Sequence, residues 1–384
     1  MVAGYPLVVV PSEFTLLGML ADYFYGPRYL ILAACSLLAL VLLLKDRTRI
    51  EHPAFIPLTA FLFFALIAAA LAAYPVIAWI GAPMRYTGLT TYFMCIILFV
   101  LAIASNKHGE RLLGWMAASA AVVSLLALLQ CAGLNLVPHE PFRKGLTAYG
   151  TLANPDFFGV YAAFTLPAAV MLYLKHGSKP WLLATALIYA GLLVSLNWGA
   201  WVAAWVGLGI VVLRARTIPE QKPALGRLGA LLGVLTLFFI LSLFPAPLWG
   251  GGEAAAVLSR EAFADKLFTW SKAMHVFDCV WAFGIGPDHI GCLGLVSPSG
   301  LVIDKTHSIY LELAATMGVF ALIAYLVFIG FFLRHRENGF FPLIAVYLVQ
   351  GIFNMEVILT MPLFWIVLGL ALSKKEAEAC PAGA

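Results

Sequence analysis

The chain has 384 residues, of which 63% are hydrophobic and only 11% charged, with a formal net charge of +4. A soluble domain carries about a quarter charged residues, so an ordinary soluble globular protein is excluded and length does not count domains here. The expectation is one integral membrane domain over 1–384: an all-α polytopic membrane protein with about twelve transmembrane helices and one long extracytoplasmic loop, 248–307, holding a short amphipathic helix.

Apolar runs of roughly bilayer-crossing length fall near 6–24, 28–44, 54–73, 89–105, 112–133, 156–174, 181–197, 199–213, 228–247, 308–333, 339–356 and 360–373. The first stretch has no basic n-region and no small-residue cleavage site, so a removable signal peptide is not expected. Lysine and arginine then orient the bundle. The short loops "KDRTR", "NKHGER", "KHGSK", "RARTIPEQKPALGR", "RHRE" and "KK" hold 15 of the 23 Lys and Arg residues. Basic loops face the cytoplasm, which predicts both termini inside and the loops around 74–88, 134–155 and 248–307 outside. This bias accounts for most of the positive charge. No basic stripe, zinc spacing or aromatic ladder points to nucleic acid.

In chain order, "GAPMRYTGLTTYF" places Arg85 at the start of a span, between Pro83 and Gly88. "YGTLANPDFFGVY" has Asn154-Pro155 as a turn and helix start, with Asp156 favouring the positive end of the helix dipole. In the long loop, Phe263, Leu267, Trp270, Met274 and Phe277 recur at helical spacing, predicting an amphipathic helix over the outer mouth. Cys279 and Cys292 share that loop and are either a disulfide or two unpaired thiols. "FGIGPDHIG" lacks the strand and βαβ context of a dinucleotide fold and reads as a tight turn. No HExxH, GxSxG or GxxxxGK[ST] is present, so serine hydrolysis and ATP use have no support.

"DKTHSIYLELAATMG" puts His307 where a polar stretch meets a lipid-embedded helix, with Tyr310, Leu311, Ala314 and Gly318 following at helical spacing. The positive field of a helix N-terminus disfavours imidazolium and leaves a neutral nitrogen free to take a proton. The nearby Asp304 opposes this. Cations beside apolar walls suit an anionic amphiphile such as a lipid-linked phosphate, because guanidinium grips phosphate oxygens with two bonds at once. Interfacial snorkelling is the simpler role for any one of these side chains.

The segment "DKTHSIYLELAATMGVFALIAYL" resembles the signature of the O-antigen ligase and polymerase superfamily. "GTLANPDFFGVYAAFTLP", "WSKAMHVFDCVWAFGIGPDHI", "APMRYTGLTTYF" and "YLVQGIFNMEVILTMPLFWIVLGL" resemble further segments of it, in family order from about residue 80 to 370. The resemblance implies a metal-independent inverting glycosyltransferase of a bacterial cytoplasmic membrane, with no cofactor. It would move a glycan from an undecaprenyl diphosphate carrier to an acceptor hydroxyl of a glycan, lipid or protein. In that pattern His307 is the catalytic base, and Arg85, Lys266, Arg260, Asn154, Lys305 and Tyr310 are candidate substrate-binding residues. Two positions depart from it: Trp198 stands where an arginine is expected in "SLNWGAW", and Lys266 replaces another. The alternatives are a transporter or flippase for an amphiphilic substrate, and a degenerate scaffold.

Overall fold

The computed structural model describes residues 1–10, 22–47, 50–104, 109–137, 148–243 and 260–373. Thirteen α-helices lie among them: α1 (Tyr25–Lys45), α2 (Phe55–Ala70), α3 (Pro75–Ile80), α4 (Leu89–Ala104), α5 (Gly109–Cys131), α6 (Pro155–His176), α7 (Lys179–Val194), α8 (Trp198–Ala215), α9 (Lys222–Leu243), α10 (Arg260–Val280), α11 (Ile309–Leu333), α12 (Phe341–Phe353) and α13 (Met361–Leu372). No β-strand forms among the described residues; Val296 and Val302 make one isolated bridge.

Six helices are long and apolar enough to cross a membrane, and α2, α4, α7, α12 and α13 are shorter apolar helices. These eleven match the last eleven predicted spans. Residues 11–21 of the first predicted span, 6–24, lie outside the described residues. Tyr5–Leu7 is a single turn of 3-10 helix, and the Val10 N–H donates to the Tyr23 carbonyl at 3.1 Å. Residues 10 and 23 are therefore neighbours. The Tyr5 hydroxyl donates to the Ile358 carbonyl (2.7 Å), just ahead of α13. Residues 1–10 therefore lie at the end where α13 begins. A buried arginine locks them there. Arg28 donates to the carbonyls of Tyr5, Pro6, Phe24 and Thr151 at 2.8–3.0 Å, satisfying a charge that would be costly to bury alone.

The centre of the bundle is α6, apolar and buried nearly all round, as expected of a helix surrounded by other helices. Small residues let its neighbours approach: a Cβ at Gly207 in α8 would meet Pro167 of α6 and Val346 of α12. A second apolar layer joins α2, α4, α11 and α13 through Phe61, Phe99, Phe328 and Trp365, the last two stacked at 5.6 Å.

Two irregularities shape the end of the bundle that carries the 81–88, 148–154 and 354–360 connections. Helices α12 and α13 have 13 and 12 residues, about 20 and 18 Å at 1.5 Å per residue, short of a hydrocarbon core of about 30 Å. The 354–360 connection joins these two short helices. The second is a break in α11 at Gly318 (φ 83°, ψ 173°), a conformation essentially reserved for glycine. The groups freed by the break are taken up by the turn after α10. Val319 N–H donates to Trp281 O (2.8 Å), while Ile285 and Gly286 N–H donate to Ala315 O (3.2 Å) and Thr316 O (2.9 Å). Irregular backbone inside a bundle persists when neighbours satisfy it in this way.

Candidate functional site

At this end, three loops are fastened around one buried lysine. Lys305 Nζ lies 2.5 Å from Asp288 Oδ1 and 3.0 Å from Glu312 Oε1, and donates to Thr87 Oγ1 at 2.7 Å. Asp288 Oδ2 in turn accepts from the Ala82 and Thr87 N–H groups (2.7 and 3.2 Å). Glu312 Oε2 accepts from Thr306 N–H (3.0 Å). Asp288 and Lys305, separated in sequence and both 2% exposed, thereby tie the 81–88 loop and the 283–291 turn to the start of α11. Lys305, expected among the substrate-binding residues, has its ammonium enclosed among these protein partners.

The fastened loops aim a different set of side chains. Arg85 Nη2 pairs with Asp304 Oδ2 at 2.5 Å, and its guanidinium lies 5.7 Å from the Phe157 ring centroid. The flanking residues Met84 and Tyr86 have positive φ (63° and 51°), a kinked backbone that turns Arg85 back toward α6. Lys266 reaches from α10, donating to the Phe353 carbonyl (2.8 Å) with its ammonium 5.1 Å from the Trp198 ring centroid. Asn197 gathers the third side. Its Oδ1 caps α8 through Ala200 N–H (3.0 Å), while Nδ2 donates to the Asp156 carbonyl (3.1 Å) and to Asn354 Oδ1 (3.0 Å).

His307 stands among these groups. Its φ of 53° is uncommon for a residue with a side chain. It is held from both sides: Thr306 N–H is bound to Glu312, the Thr306 hydroxyl donates to Ser308 O (2.8 Å), and the Ser308 hydroxyl donates to Gly351 O (3.4 Å). Backbone strain that surroundings hold in place is characteristic of functional positions. Burial is the largest influence on the imidazole and draws its pKa below the ordinary value. Asp156 and Asp304 pull it up, while Lys266 and Arg85 push it down. From the sequence, a helix end would keep the ring neutral. The structure starts α11 two residues later, at Ile309, and gives the effect to burial instead. Lys266 is likewise shifted down by burial, against the pull of Asp156. Burial disfavours the charged form of Arg85, but Asp304 and further anionic partners outweigh it and its pKa rises.

Of the expected site residues, the structure brings His307, Arg85 and Lys266 together. Asn154 is the N-cap of α6, accepting from Asp156 N–H at 2.9 Å, so it sets the helix start. The Tyr310 hydroxyl turns away to the Leu348 carbonyl of α12 (2.8 Å). The Arg260 side chain lies outside the described residues. Asp156, weighed in the sequence only for its helix-end charge, and Phe353, which carried no signal, are the additions. Cys279 and Cys292 are both free thiols.

The fold and this cluster define an all-helical protein with the apolar helices of a polytopic membrane protein and a mixed-charge site at one end. No family model matches the chain, and no curated protein matches it. The resemblance to the O-antigen ligase and polymerase superfamily therefore stands on the quoted motifs alone.

Proposed function

We propose that the chain is a metal-independent inverting glycosyltransferase acting on an undecaprenyl-diphosphate-linked glycan at the outer face of a bacterial cytoplasmic membrane. The observation that carries this is the convergence of His307, Arg85 and Lys266, from three separate segments, beside Asp156 and Asp304. The basic loops lie at the opposite end of the bundle from the site, which supports a cytoplasmic position for that end and an outer one for the site.

The chemistry follows from the side chains. His307, uncharged at neutral pH, takes the proton of an acceptor hydroxyl. That oxygen attacks the anomeric carbon from the face opposite the diphosphate, and the bond from carbon to phosphate oxygen breaks. Its electron pair leaves with the undecaprenyl diphosphate, whose charge Arg85 and Lys266 offset. Asp156 and Asp304 stabilise the imidazolium until it returns its proton to solvent.

The test is single-turnover transfer from the lipid-linked donor by purified protein in nanodiscs. A general base contributes about 10²–10⁴ in rate, so His307→Ala should lose that much while donor binding stays intact. Transfer within about threefold of the unsubstituted protein, far short of such a contribution, would remove the proposal. A transporter is the second reading, favoured by the break at Gly318, since discontinuous helices form transporter sites. The groups freed there are already bonded to Trp281, Ile285 and Gly286, which leaves none for a substrate. Movement of the donor across the bilayer without a new glycosidic bond would support transport.

A further inference from the structure

The apolar stripe of α10 faces the bundle only in part: Phe263 touches Trp198, while Trp270 and Phe277 are half-buried. At about 100° per residue, Phe263, Leu267, Trp270, Met274, Phe277 and Trp281 fall within an arc of about 80°. Phe263, Leu267, Met274 and Trp281 are 50%, 46%, 45% and 54% exposed, whereas Thr269 and Ala273, on the opposite side, are buried. Solvent exposure of such a stripe is unfavourable, so something apolar covers it.

Two observations say what. The first is continuity. Trp281 meets Phe320 of α11 at 5.9 Å, and Phe320 stacks on Phe64 of α2 at 5.3 Å. Phe63, Ile323 and Val327, outward on these same helices, are exposed as lipid-facing residues are. The second is depth. α11 has 25 residues, about 37 Å at 1.5 Å each, so a core of about 30 Å counted back from Leu333 ends near residue 314. Gly318, whose neighbour Val319 holds Trp281, then lies about 6 Å inside that boundary. This is the depth at which interfacial helices bury their apolar face and at which tryptophan concentrates.

We infer that α10 is an interfacial helix whose stripe from Phe263 to Trp281 is embedded among the acyl chains of the leaflet at the site's end. Bilayer lipid is the occupant. The inference rests on the membrane architecture and not on glycosyl transfer. One consequence reaches the site: Lys266 adjoins Leu267, so lipid contact with the stripe holds the helix that presents the ammonium.

The experiment places nitroxide labels in a cysteine-free protein through Leu267→Cys, Met274→Cys, Ser271→Cys and His275→Cys. The protein is reconstituted in nanodiscs of phosphatidylcholine and phosphatidylglycerol without donor. Labels at 267 and 274 should relax preferentially with oxygen, and those at 271 and 275 with an aqueous nickel chelate. Water-accessible labels at all four positions would overturn the inference. So would labels at 267 and 274 shielded from both reagents, which would mean that protein covers the stripe. Should the cysteine-free protein not fold, the fluorescence difference between unsubstituted protein and Trp281→Phe serves instead. Quenching of that difference by lipid brominated high on its acyl chain is the expected result, and no quenching refutes the inference.

Discussion

Lys266 lies over Trp198, with the ammonium 5.1 Å from the ring centroid. These are the two positions at which the chain departs from the arginine pattern of the family it resembles, and they are partners in space. Trp198 is held in turn by Phe353 (4.7 Å) and Phe263 (6.4 Å), so the lysine rests on an aromatic platform beside Asp156. A ring and an ammonium thus supply a placed positive charge that lacks the two-pronged grip of a guanidinium.

Removing the platform should release the charge. A partly desolvated cation–π contact is worth about 1–2 kcal/mol, so Trp198→Ala should weaken donor binding by about fivefold to thirtyfold. Lys266→Ala should weaken it at least as much, and Lys266→Arg should keep or improve it. Titration of the donor into protein in nanodiscs reads all three. Unchanged affinity in both alanine variants would make Lys266 an ordinary interfacial cation.

The pH profile should follow His307. Its pKa lies below the ordinary histidine value because of burial first and the two cations next. The base is competent only when neutral, so kcat/KM should fall on the acid side, with the inflection below about 6.5. Lys266→Met removes a charge that disfavours imidazolium, so the inflection should move up. Asp304→Asn removes one that favours it, so the inflection should move down. An acid limb that ignores both substitutions would show that another group titrates.

Lys305 should behave as a structural residue. Deleting one partner of a buried ion pair costs about 3–5 kcal/mol because the other is left unpaired. Lys305→Met leaves Asp288 and Glu312 without their cation and should reduce recovery of monodisperse protein. Arg85→Ala should not, since its side chain is 18% exposed. Size-exclusion profiles after detergent extraction distinguish them. A monodisperse Lys305→Met that had lost donor binding alone would return Lys305 to the substrate site.

Gly318 should tolerate no side chain. Its backbone conformation is nearly confined to glycine, and a Cβ there would collide with the Ala282 carbonyl. Gly318→Ala should lower the temperature of heat-induced aggregation and free the 281–286 turn to exchange its amide hydrogens. Gly330→Ala, where a Cβ would meet nothing within 4 Å, is the control. Equal behaviour of the two variants would mean that the break is not held as described.

The orientation is open to labelling. Tags at 45–53 and 214–227 should be protected in intact cells, and tags at 250–260 and the amino terminus should be reachable from outside, because the basic loops set the sides. A protected 250–260 tag would place the site in the cytoplasm and end the proposed reaction.

The sequence by itself determined the class and the positions of eleven apolar helices, six of them long enough to cross a membrane, because an apolar helix announces itself by local composition alone. It also marked Arg85, a charge at the start of an apolar span, while His307 and Lys266 stood out through the resemblance. Most of the first expected span, 6–24, lies outside the described residues, which show only Val10 bonded to Tyr23. Nor could the sequence show the partners of Lys305. A lysine beside a membrane looks the same in sequence whether it meets solvent or Asp288 and Glu312. The outward turn of the α10 stripe and the pairing of Trp198 with Lys266 belonged to the tertiary structure alone. Which face a helix buries, and which distant residue meets a charge, depend on contacts between segments that no local pattern encodes.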